Sequence, residues 1–138
     1  MIKSKSLIGL SLLCFSPFLS AATPAPANAA AYIVSPANGQ VVSSPVTVIF
    51  GLSGAGVAPA GVDKKNTGHH HLIIDAPTPN LSRAIPKDAN HKHFGGGQTQ
   101  TTLNLSPGKH TLQLVLGDMK HVPHSPAVVS KKIEITVK

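Results

Sequence analysis

Three groups of histidines dominate the chemistry that this chain can offer. Gly68-His69-His70-His71-Leu72-Ile73-Ile74-Asp75 carries three consecutive imidazoles, and the pairs His91/His93 and His121/His124 follow later. Neutral imidazole nitrogen is a ligand for copper, zinc, nickel and iron. A chain whose only cysteine is Cys14 and which has two methionines offers little to a thiolate-rich Cu(I) centre. For a nitrogen site the order of divalent affinities places copper highest, so Cu(II) is the expected ion and Zn(II) the second.

The three apolar residues after the triplet, two of them β-branched, mark the start of a half-buried strand. Alternation then puts His69 and His71 on one face with Ile73 and Asp75, and His70 on the other with Leu72 and Ile74. His69 and His71 are therefore the expected first ligands, joined by His121, His124, His91 and His93. His70, Asp75 and Asp118 are expected to support them through hydrogen bonds. Met119 is the one thioether near the proposed cluster.

Around these residues the chain reads as strands and turns. Short extended runs are expected at Tyr32-Ile33-Val34, Val41-Val42, Val46 to Phe50, the His-led strand, Thr99 to Leu105, His110 to Leu116 and Lys132 to Val137. Asn38-Gly39, Ser44-Pro45 and Pro107-Gly108 punctuate them. Leu81 to Gly97 forms a long connection without helical period, a length that is uncommon in a compact domain unless it is functional or disordered. Six or seven strands with Gly/Pro-rich connections predict an all-β fold, an antiparallel immunoglobulin-like β-sandwich, with a small open barrel as the competing architecture.

That fold places the histidines. With the His-led strand third and His110 to Leu116 sixth, the two are antiparallel neighbours. The start of one then lies beside the end of the other, bringing His69 to His71 next to the loop that bears His121 and His124. The fifth strand begins at the same end, within reach of His91 and His93. His110 begins the sixth strand and is expected at the far end, outside the cluster.

The N-terminus is read separately. Lys3 and Lys5 precede a mostly apolar run from Leu7 to Leu19, and Ser20-Ala21-Ala22 offers a cleavage point, so residues 1–22 are expected to be a signal peptide. The apolar run is shorter than the roughly 20 residues of a spanning helix, and no transmembrane segment is expected once it is removed. Bulky Leu12-Leu13 before Cys14 argues against a lipid-modified cysteine. Residues 23–30 are Pro/Ala-rich and are expected to be a disordered leader to a single domain over 31–138. The protein is therefore expected in the periplasm or outside the cell, held together by core burial without a disulfide.

Composition narrows the function further. The formal charge of +7 falls to +5 when Lys3 and Lys5 are removed, and the remaining basic residues are scattered. With one Tyr, four Phe and no Trp in the chain, no basic stripe interleaved with stacking rings is present, which argues against a nucleic-acid partner. There is no nucleophile elbow, no phosphate-cradling Gly-Lys-Ser/Thr pattern and no recognisable carboxylate pair for glycoside chemistry. A non-catalytic metal-handling protein is the leading reading, metal-dependent redox activity a minor one. The reading from another class is a structural module of the cell envelope, or an interaction module with an envelope protein as its partner.

The blocks His69-His70-His71-Leu72-Ile73-Ile74-Asp75, His91-Lys92-His93-Phe94-Gly95-Gly96-Gly97-Gln98-Thr99, Pro107 to Leu114 and His121-Val122-Pro123-His124 resemble a family of small bacterial exported domains of unknown function. The resemblance spans Tyr32 to Val137. It implies export and carries no activity with it. The strand-borne His-x-His pair is also similar, more distantly, to copper-handling β-sandwich domains and Cu/Zn superoxide dismutase, without a full set of dismutase ligands or its disulfide cysteines.

Overall fold

The structure, a computed structural model, describes residues 21–138. The expected signal peptide therefore lies almost entirely outside the described residues. Nine strands follow in order: β1 (Ala30–Ser35), β2 (Val41–Val42), β3 (Val46–Ser53), β4 (Gly56–Val57), β5 (Thr67–Ile74), β6 (His91–His93), β7 (Gln100–Leu103), β8 (Gly108–Gly117) and β9 (Ile133–Val137). Among the described residues no helix is long and apolar enough to cross a membrane.

The strands form two sheets, β1-β3-β7 and β2-β9-β8-β5-β4, with β6 also paired to β5. The all-β fold is thus a sandwich-like packing of two sheets. Alternation supplies its core: Val46, Val48 and Phe50 of β3 face Leu72 and Ile74 of β5, Leu112, Leu114 and Leu116 of β8, and Ile135 and Val137 of β9. Their buried apolar area stabilises the domain at about 25 cal/mol per Å².

The neighbour relation on which the histidine placement depends is present. β5 and β8 are antiparallel over six positions, from His69 opposite Gly117 to Ile74 opposite Leu112. The other edge of β5 is divided between two short strands. The carbonyls of Asn66 and Gly68 accept from Gly56 and Ala58 on the β4 side, and the carbonyl of His70 accepts from Phe94 just after β6. These three carbonyls point the same way because a strand alternates every two residues.

Unlike a sheet with one wet face, β5 is buried on both sides, so seven of its eight residues are buried. Its outer face, carrying His69, His71 and Ile73, is covered by the connections at 76–90 and 118–130, and Ile73, Ile85 and Val115 form a small second apolar cluster there. The long connection that lacked a helical signal is thus a lid on the sheet, and the strand β6 is embedded in it. The segment 23–30, expected to be disordered, is docked: Ser125 donates to the carbonyl of Thr23, Ala25 donates to that of Ser125, and Ala25 and Ala29 pack against the core.

Candidate metal centre

Four imidazoles from three separate segments meet on the outer face of β5. His69 and His71 project from β5 two residues apart, β6 pairs with β5 so that His93 stands opposite His71, and His121 arrives from the loop after β8. One ring nitrogen from each lies within 4.8 Å of all the others. The four rings form a site capable of coordinating a metal ion.

The six ring-to-ring distances show its shape. They run from 4.6 Å for His93–His121 to 5.9 Å for His71–His121, with His69–His71 at 4.7 Å, His69–His93 and His69–His121 at 5.0 Å, and His71–His93 at 5.2 Å. Four points at the corners of a square would have diagonals about 1.4 times the sides. Here the longest separation falls short of that ratio to the shortest, so the rings enclose a distorted tetrahedron. Nitrogens bound to one tetrahedral ion at about 2.05 Å lie roughly 3.3 Å apart. His69 Nε2 and His121 Nδ1 are already 3.1 Å apart, a distance that also lets one donate a hydrogen bond to the other. The widest pair has to close on loading by about the difference between 4.8 Å and the roughly 3.3 Å that a tetrahedral ion sets.

The electrostatics keep the rings in their ligating form. His71 is pushed down to about 3 by burial and by the neighbouring His69, His93 and His121; His69 is pushed down to about 4 by burial and by His121 and His93. Burial, His121 and Lys87 lower His93 as well. These imidazoles are neutral at neutral pH, as metal binding requires. Buried nitrogens are ordinarily hydrogen-bonded, whereas His69 Nδ1, His71 Nδ1 and His93 Nε2 have no partner.

Glycines make room for the rings. A Cβ at position 117 would stand 2.6 Å from Cε1 of His71, and one at position 95 would stand 2.2 Å from Cε1 of His93. Neither glycine has a positive φ, so each is set by the imidazole beside it rather than by its own backbone.

The His121 loop is tied from two directions. Asp118, itself 6% exposed, accepts at Oδ1 from the amides of Lys120 (2.8 Å) and Val122 (3.0 Å), and at Oδ2 from the Thr23 hydroxyl (2.7 Å). Burial raises the Asp118 carboxyl, and the Thr23 hydroxyl with the two amides outweighs it, holding the group below the usual carboxylate range. Ile85 donates its amide to the carbonyl of His121 (2.8 Å), which itself takes φ 65°. Asp118 therefore supports the site through the backbone of its loop, not through a ring nitrogen. Partners that hydrogen-bond a ligating ring directly are worth about 10–100-fold in metal affinity, and about tenfold, the low end, is the scale for one that acts through the loop backbone. Asp118→Ala is expected to weaken binding by that factor at unchanged stoichiometry, read by chelator competition.

The remaining expected site residues stand elsewhere. His91 faces Ile73 across the β5–β6 register, one step further along than His93, and its Nδ1 pairs with Asp88 at 2.8 Å. His124 is on the far side of its loop, with Nε2 3.1 Å from the carbonyl of Thr67. His70 lies on the core face, its ring 5.2 Å from that of Phe50, with neither nitrogen hydrogen-bonded; burial pushes it down to about 4. Asp75, expected to orient a ligand, is at the opposite end of β5, where its carboxylate takes His110 Nδ1 (2.6 Å) and the amide of Thr111 (2.8 Å). His110 is outside the cluster, as its position at the start of β8 requires. Thr23, Ile85, Gly95 and Gly117 are site-shaping residues that no spacing in the sequence singles out.

No curated protein and no solved structure matches the chain. Residues 48–138 match the family described as "Domain of unknown function (DUF4399)". That span runs from within β3 through β9 and holds all four converging histidines, so the four ligating candidates lie within the matched region. The chain belongs to the DUF4399 domain family.

Proposed function

We propose that this is an exported, non-catalytic metal-handling protein that holds one divalent ion on His69, His71, His93 and His121. The observation that carries the reading is their convergence from β5, β6 and the His121 loop, with ring nitrogens within 4.8 Å of one another. One nitrogen of each ring converges on the others, and His69 Nε2 and His121 Nδ1 already stand near coordination spacing, an arrangement that an ion would complete. Cu(II) is the tightest expected ligand on the order of divalent affinities. Zn(II) is second, and the tetrahedral disposition of the rings suits it with the least rearrangement. Four protein ligands saturate a tetrahedral ion, which favours storage or transfer over catalysis.

The cationic, apolar and small-residue pattern of residues 1–22 supports export to the periplasm or beyond. The strand order, with the central β5–β8 pair flanked by β9 and faced by β1-β3-β7, supports an immunoglobulin-like arrangement of the sandwich. Native mass spectrometry and calorimetric titration of the untagged protein with Cu(II) and Zn(II) test the metal reading. One ion per chain is expected. A protein that takes up neither ion, or binds several weakly and alike, would reject the reading in favour of an envelope interaction module.

A further inference from the structure

The four rings do not surround the centre evenly. A cavity of about 160 Å³ opens beside it, lined by His71, Ile85, Lys87, His93 and His121, while His69 is not on its wall. His69 and His71 are buried, and His93 and His121 are partly exposed. An ion held by the tetrahedron would thus rest on His69 and present the face made by the other three rings to the cavity. A fifth donor approaching through such a face gives five-coordination, which suits the tetragonal preference of Cu(II) rather than a tetrahedral Zn(II) closed by four protein ligands.

The cavity's size and charge select what enters. It has room for roughly five waters at about 30 Å³ each, well below the roughly 300–1,000 Å³ of sites for drug-sized molecules. Its walls include the apolar residue Ile85 and the basic residue Lys87, the one Lys, Arg, Asp or Glu on the lining. The backbone bond from Ile85 to His121 fixes this stretch over the site.

We propose that this cavity is the site of an exchangeable fifth ligand, a small anion that binds the metal ion through the His71–His93–His121 face and pairs with Lys87. It rests on the metal reading above and adds to it a ligand class and an access route. Anion binding here is simple coordination: a lone pair of the anion adds to the four-coordinate ion as a fifth donor bond, no ligand leaves, and no oxidation state changes.

Azide is a suitable probe, because its coordination to Cu(II) produces a charge-transfer absorption and alters the electron paramagnetic resonance spectrum. Protein loaded with one equivalent of Cu(II) and freed of excess is titrated with azide, and retention of copper is checked by gel filtration. Saturable spectral change with copper retained is expected in the parent. Lys87→Gln should weaken azide binding by about two- to fivefold, the scale of one exposed ion pair, and Lys87→Glu further, both with copper stoichiometry unchanged. Lys87 is exposed, so neither change should alter folding. Copper bound without any azide response, azide that merely strips the ion, or equal azide affinity in all three proteins would overturn the fifth-ligand site while leaving the metal centre intact. Failure to take up stoichiometric copper would overturn both.

Discussion

In a His69→Leu/His71→Leu double variant, stoichiometric binding of Cu(II) and Zn(II) is expected to disappear while the metal-free domain becomes as stable as the parent or more so. The two halves of this expectation have one cause. Both side chains are at most 1% exposed, and a nitrogen on each has no hydrogen-bond partner. An unsatisfied buried polar atom costs about 1–3 kcal/mol, and an apolar side chain of similar shape removes that cost. Leucine is close to histidine in volume, so no large cavity is left. Losing a supporting partner alone costs about 10–100-fold in metal affinity, so losing two ligands at once should cost more than roughly 10³-fold.

Thermal melts with and without metal read both effects. An ion at 100 times its dissociation constant stabilises the folded state by about 2.7 kcal/mol. For a domain of this size that is a rise in Tm of roughly 10 °C, present in the parent and absent in the double variant. His91→Ala is the companion control, since its ring is held by Asp88 outside the centre, and it should keep the full rise. A double variant that still binds one ion tightly would locate the metal elsewhere. One that is much less stable than the metal-free parent would show that the imidazoles hold the fold rather than burden it.

The period of two along β5 was legible from the sequence, and in the structure it sets His69 and His71 on the face opposite His70, with the facing sheet packed on one side and the covering connections on the other. The neighbour relation between the His-led strand and the strand from His110 was also legible, because long apolar runs identify central strands. The finer choice within each later pair was not. His91 and His93 share a face at i, i+2 spacing, but residues two apart on a strand are separated by roughly 6.5–7 Å. Only the one in register with His71 joins the four-ring cluster, and the register of a three-residue strand inside a long connection has no sequence signal.

For His121 and His124 the obstacle is different. Pro123 bridges to Gly117, and this contact sends the following side chain over Gly68, where a Cβ would stand 2.9 Å from His124 Cε1. Spacing alone treats i and i+3 as a pair, whereas the local pairing of Pro123 splits them. The docked segment 23–30 was missed for a related reason. Its Pro/Ala composition carries no periodicity, and its order comes from hydrogen bonds to Ser125 and Asp118, which lie about a hundred residues away.

The metal-free protein is expected to lose stability steeply as pH falls below about 6.5. The folded chain holds His69 and His70 at about 4 and His71 at about 3, against 6.5 for a free imidazole. Between these values the unfolded chain takes up protons that the folded chain refuses, so acid favours unfolding. The stabilising contribution is complete above pH 6.5 and is lost as pH drops toward 4 and then 3. At about 1.4 kcal/mol per pH unit for each group, the three together remove on the order of 6 kcal/mol by pH 5. That is comparable to the whole stability of an ordinary domain, about 5–15 kcal/mol. His110 acts in the opposite sense, because the Asp75 hydrogen bond raises it; its contribution is present below 6.5 and lost as pH rises, and it offsets only a part. Urea midpoints at pH 8, 7, 6 and 5 should therefore fall progressively below pH 7, with the slope reduced by about two thirds in the His69→Leu/His71→Leu variant. Excess Zn(II) should move the fall to lower pH, since protons must then also displace the ion. A midpoint that stays level from pH 7 to pH 5 would mean that the three rings are hydrated in solution, and a hydrated cluster would have neither the unpartnered nitrogens nor the fixed spacing on which tight coordination depends.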